Sequence, residues 1–136
     1  MDSVDELRDN LVQVSFAVIA ALNHVASEHD LSLTQLRVLG ILRDREPTMA
    51  ELATYLGLER STVSGLIDRA VQRGLVRKTS DSADGRSVRV SLTAQARRLE
   101  ARVIADVNEL MAPLIDRLNG NEQKRLSGLL AKALGQ

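Results

Sequence analysis

Apolar residues at Val4, Leu7, Leu11, Val14, Val18, Ala21 and Val25 succeed one another in steps of three and four, which sets them in one stripe along an α-helix. A stripe of that length wants a partner. Ser32 with Gln35 three residues on predicts a capping box, and Leu36, Leu39 and Leu42 continue as the buried face of a second helix that Pro47 helps to stop. Thr48 and Glu51 predict another capping box opening a short helix through Tyr55, which Gly57 ends by supplying the left-handed conformation. After a tight turn, a helix over 61–73 is expected to bury Val63, Leu66, Ile67, Ala70 and Val71, with Gly74 closing it. Two helices joined in this way are a helix-turn-helix candidate.

Past Gly74 the period falls to two. A strand is expected over 75–79, and in a second one Val88, Val90 and Leu92 point one way while Arg89 and Ser91 point the other. The intervening SDSADGR is turn-forming, so the strands make a β-hairpin, or wing, with Asp84, Gly85 and Arg86 near its tip. Thr93 is placed to cap a long helix carrying Leu99, Val103, Val107, Leu110, Leu114 and Leu118, which Pro113 should kink. Asn119, Gly120 and Asn121 then break the chain before a last amphipathic helix displaying Leu126, Leu129, Leu130 and Leu134. The fold class expected is mainly α with a small β-hairpin wing.

Composition narrows the function. The length of 136 residues fits one domain, and 44% apolar with 26% charged residues indicates a soluble globular chain. The greasiest stretch, 11–26, is interrupted by Gln13, Ser15, Asn23 and His24 and falls short of the roughly 18 unbroken apolar residues of a membrane span. Asp2, Asp5, Glu6 and Asp9 stand where a secretory signal would carry positive charge, so a cytoplasmic location is expected. The absence of cysteine removes disulfides and thiolate chemistry. Net charge is zero, yet residues 60–89 hold seven basic side chains against three acidic, a local excess of four on a negative remainder. That asymmetry directs a polyanion to one face.

The hydroxyls of Ser61, Thr62 and Ser64 lie at the start of a helix whose positive end favours phosphate, and small side chains let that helix sit deep in a groove. The same residue types also suit helix starts and caps for purely structural reasons. Arg86, at a glycine-containing hairpin tip, is a cation on an extended arm suited to a narrow minor groove, with Asp84 placed to fix its angle. Arg60, Arg69, Arg73, Lys78 and Arg89 are candidates for phosphate contact; Arg69 has an alternative partner in Asp68, and Arg73 in a helix C-terminal dipole. His24 and His29, five apart, do not share a helix face, so no metal site or other cofactor is expected. The chain holds no phosphate loop, HExxH run or serine elbow, so no enzyme is expected either. The competing reading is a winged-helix protein-interaction module without specific DNA binding.

The order of these parts, with AELATYLGLERSTVSGLIDRAVQRGLVRK and DGRSVRVSLT, resembles the MarR family of bacterial regulators over nearly the whole chain. The resemblance implies a homodimer built on 1–30 and 94–136, with a winged helix-turn-helix DNA-binding lobe over 32–93. It further implies a repressor of a pseudo-palindromic double-stranded operator, with half-sites roughly 10 bp apart, released by a small-molecule effector. By position it sets Ser61, Thr62 and Ser64 toward the major groove and matches Asp84 and Arg86 to the wing pair. Three departures stand out: Gly65 replaces a larger, often basic residue, Ala96 replaces a glycine, and Phe16 and Tyr55 are the only aromatics. The last of these points to an aliphatic effector crevice rather than an aromatic one.

Overall fold

Five of the six helices described start at short polar side chains that take up otherwise orphaned amide hydrogens. Asp2, Ser32, Thr48, Thr93 and Asn119 each accept a backbone N–H from the first turn of the helix they precede. The computed structural model describes residues 2–80 and 87–136. Within them lie α1 (Ser3–Glu28), α2 (Leu33–Leu42), α3 (Met49–Leu56), α4 (Arg60–Gln72), β1 (Val76–Ser80), β2 (Val88–Leu92), α5 (Ala94–Ile115) and α6 (Gly120–Ala133).

Both expected capping boxes are present, at Ser32 with Gln35 and at Thr48 with Glu51; a third, Asn119 with Glu122, opens α6. Gly57 and Gly74 have φ of 66° and 74°, the left-handed geometry that ends α3 and α4. Leu75, expected as the first strand residue, instead belongs to the turn: its N–H returns to the Ala70 carbonyl at 2.9 Å and its side chain is buried. The antiparallel register sets Val76 opposite Leu92 and Ser80 opposite Val88. The loop before α3 adds to the hairpin, since Val90 N–H donates to the Pro47 carbonyl at 2.9 Å and Thr48 bridges Arg89. Pro113 sits in the last turn of α5, which ends two residues later.

One core joins the end of α1 to α2, α3, α4, the hairpin and α5, with Val25, Leu39, Leu42, Leu52, Val63, Ile67 and Val90 fully buried. Each such aliphatic side chain contributes about 1.5–3 kcal/mol. Val71, expected inside, is 40% exposed, because it falls on the flank of α4 away from Leu66 and Ala70.

The apolar stripe of α1 divides. Val25 and Ala26 enter the core, while Val4, Leu7, Leu11, Val14 and Phe16 remain exposed, as do Leu126, Leu129, Leu130 and Leu134 at the other end of the chain. In length and mean hydropathy, 1.3 over its most apolar 18 residues, α1 would suffice to cross a membrane; an average over that length dilutes the polar interruptions that break its apolar run.

Candidate nucleic-acid interface

The face that α4 buries determines the face it presents. Val63, Leu66, Ile67 and Ala70 pack inward, leaving Ser61, Thr62, Ser64, Asp68, Arg69 and Gln72 exposed on the outward side. Stepping about 100° per residue, Ser61, Gly65, Asp68 and Gln72 form the outermost ridge. A search for cations and hydroxyls passes over Asp68 and Gln72 as members of this face, although the helical period alone finds them.

The start of α4 differs from that of every other helix. Its N-cap is Glu59, with no side-chain hydrogen bond, so Ser61 and Thr62 lie inside the first turn rather than at the cap. Their hydroxyls are therefore not spent on capping, and the first turn, at the positive end of the helix dipole, has no side-chain cap. Arg60 borders a depression of about 180 Å³ shared with Thr48, Met49, Ala50, Ser87 and Val88, where the starts of α3, α4 and β2 converge.

The remaining cations have distinct surroundings. Arg69 Nη1 lies 3.5 Å from where a Cβ on Gly65 would stand, so the missing side chain there leaves room for the guanidinium to fold across the middle of the outward face. Asp68, an expected alternative partner of Arg69, is held by Lys78 instead: Lys78 Nζ donates to Asp68 Oδ1 at 2.6 Å, tying β1 to α4. Arg89 Nη1 donates to the Glu46 carbonyl at 2.7 Å and fastens β2 to the loop before α3. Arg73, the C-cap residue of α4, donates from Nη1 to the Asp30 carbonyl at 2.9 Å, at the end of the helix remote from Ser61. Asp84 and Arg86 lie outside the described residues.

The two histidines are engaged separately. His24 Nε2 lies 3.0 Å from Glu28 Oε1 on the same helix, whereas His29 Nε2 lies 2.8 Å from Asp106 Oδ2 and joins the end of α1 to α5. Between these helices a depression of about 200 Å³ is lined by His24, Glu28, Asp106, Glu109 and Leu110. An apolar depression of about 220 Å³ lies farther along α1, at Leu11, Val12, Ser15, Phe16 and Ile19.

Comparison with known proteins accords with this arrangement. Residues 29–87 match a family model described as the MarR family. The chain is 29% identical over 126 residues to the HTH-type transcriptional regulator PecS of Dickeya dadantii (strain 3937), covering 90% of this chain and 76% of the relative. Its fold is similar to that of a mutant MarR from E. coli complexed with operator DNA, with TM-score 0.74, 27% identity, and coverage of 98% of this chain and 99% of that one. It is also similar in fold to NadR in complex with 4-hydroxyphenylacetate, with TM-score 0.81, 23% identity, and coverage of 93% and 91%.

Proposed function

We propose that this chain is a MarR-family transcriptional regulator, a homodimeric repressor that binds a pseudo-palindromic operator in double-stranded DNA, a reading supported by the family match over residues 29–87 and the similarity to PecS and to MarR with operator DNA. The observation that carries the reading is the outward face of α4: exposed hydroxyls on an uncapped first turn, with the core directly behind it. Small hydroxyl side chains admit the helix to the major groove and read base edges there, while the uncapped amides favour phosphate. Ser61, Thr62 and Ser64 read; Arg60, Arg69, Lys78 and Arg89 supply cations beside the backbone; Arg86, set by Asp84, enters the minor groove from the wing.

In this reading residues 1–30 and 94–136 join two copies through the exposed apolar faces of α1 and α6, and residues 32–93 are the reading lobe. The chain regulates rather than catalyses, and it works in the cytoplasm where its operator lies. A small-molecule effector releases the DNA by preferring a lobe spacing that misfits the operator, since a ligand with equal affinity for both arrangements shifts no population.

The test is selection of duplexes from a random pool by the purified dimer, together with binding to the DNA upstream of its own gene. A selected palindrome bound with steep salt dependence is the expected result, and Arg86→Ala, folded and dimeric, should lose most of that affinity. A folded sample that retains no duplex in dilute salt but captures a protein partner would replace this reading with that of an interaction module.

A further inference from the structure

Among the described residues, Asp30 is the one non-glycine with positive φ, 55°. It follows the C-cap residue His29 of α1, and Leu31 N–H returns to the Ala26 carbonyl at 2.8 Å, so α1 closes with the same wrap that Gly57 and Gly74 give α3 and α4. At those two places glycine adopts the turn without penalty. Asp30 adopts it against the steric preference of a residue with a Cβ. Among residues with a Cβ, aspartate is one of the few that enter this region readily. The Asp30 carbonyl is held out to Arg73 Nη1 at 2.9 Å.

Arg73 ends the reading helix, and Asp30 ends the helix that carries the exposed apolar stripe. Their bond therefore runs from one functional region to the other. By helical geometry Arg73 stands about 120° around α4 from Ser61 and about 18 Å farther along, beside the buried Leu66 rather than on the outward ridge. One further side-chain tie joins the same parts, Arg43 Nη1 to Glu100 Oε1 at 3.3 Å, from the end of α2 to α5, whereas His29 with Asp106 joins α1 to α5 within the stalk. Of the two that cross, the Arg73 bond is the one that ends on the reading helix itself.

We propose that Arg73 is a positioning residue rather than a DNA contact: through the Asp30 carbonyl it fixes the angle at which α4 leaves the α1–α5 stalk. In a dimer that angle sets the separation of the two reading heads, and with it the half-site spacing that the protein accepts. The inference rests on the dimeric DNA-binding reading above. A charge-assisted bond from a planar guanidinium to one carbonyl has a direction as well as a length, which is what fixing an angle requires.

The experiment uses duplexes selected by the full-length parent, rebuilt with the centre lengthened or shortened by one base pair. Their affinities are measured across a salt series for the parent, Arg73→Gln and Arg69→Gln, each verified as a folded dimer. The parent should discriminate sharply between spacings. Arg73→Gln should bind the selected duplex several-fold more weakly, lose most of the spacing discrimination and keep the parental salt slope. Arg69→Gln, which removes a cation from the reading face, should also bind more weakly but keep the spacing discrimination, with a salt slope shallower by about 0.9 for each phosphate it no longer neutralises. If Arg73→Gln behaves like Arg69→Gln, with spacing preference intact, the proposal is overturned.

Asp30 supplies a second arm that leaves the cation in place. Asp30→Val, whose branched side chain resists the left-handed turn, should reproduce the loss of spacing discrimination, and Asp30→Gly, which keeps both turn and carbonyl, should retain it. A folded Asp30→Val dimer with parental discrimination would overturn the proposal as well. A parent that binds no duplex at all would instead sink the DNA-binding reading, which separates the two failures.

Discussion

Lys78 Nζ lies 2.6 Å from Asp68 Oδ1, joining the first wing strand to the outward face of the reading helix. Both side chains are well exposed, so the pair contributes no more than about 1 kcal/mol to stability. Its larger consequence concerns DNA, because an acid on the reading face repels phosphate and competes with it for the Lys78 ammonium. Asp68→Asn should leave the melting temperature almost unchanged and tighten operator binding, with a salt slope steeper by about 0.9 for each lysine released to a phosphate. Weaker binding by this variant would mean that the Asp68 carboxylate itself accepts a hydrogen bond from a base.

The exposed apolar residues at the two ends of the chain carry the prediction for assembly. Leu11 and Leu130 are 47% and 44% exposed on α1 and α6, an arrangement that water tolerates poorly over several helical turns. Leu11→Glu combined with Leu130→Glu should yield a folded single-copy particle by light scattering, with helix content retained and operator affinity reduced by orders of magnitude. A double variant that remains a dimer would place the interface elsewhere.

Most of this architecture is legible in the sequence because local rules and the core agree. The periods of Val63 to Ala70 and of Val88 to Leu92, and the boxes at Ser32 and Thr48, each name an element that the structure contains. What escapes depends on contacts between elements. Nothing in the local sequence says that Lys78 takes Asp68 from Arg69, or that Arg73 reaches a carbonyl 43 positions away in the chain. Glu59 escapes for a different reason: glutamate is a poor capping residue, so a helix start placed by capping preference shifts to Ser61.

Arg43 and Glu100 form an unequal pair, with side chains 50% and 10% exposed. Losing the arginine strands a carboxylate that water barely reaches, which costs about 1–3 kcal/mol. Replacing the acid with an apolar side chain of similar length leaves an arginine that water can solvate. Arg43→Ala should therefore lower the urea midpoint clearly, Glu100→Met should change it little, and Arg43→Ala in the Glu100→Met background should cost much less than it does alone. Equal losses from the two single variants would show that Glu100 is stabilised by something other than this bond.

The turn joining the two reading-lobe helices gives a prediction whose sign reverses between two glycines. Gly57 has φ of 66° and no atom within 4 Å of a Cβ built there, so alanine at that position meets no clash and is opposed by the backbone conformation alone. Gly40 also has open space around such a Cβ, but it lies within α2 at ordinary helical geometry. Gly57→Ala should destabilise the protein by about 1–2 kcal/mol, whereas Gly40→Ala should stabilise it by about 0.5–1 kcal/mol through better helix propensity. Equilibrium urea unfolding at fixed dimer concentration reads both, provided the denaturant slope is unchanged. Because the Gly57 turn also sets the angle between α3 and α4, its alanine variant should bind the operator less tightly even where it is fully folded, while Gly40→Ala should bind as the parent does. Opposite stability signs with identical operator affinities would separate the turn from DNA recognition and confine Gly57 to a structural role.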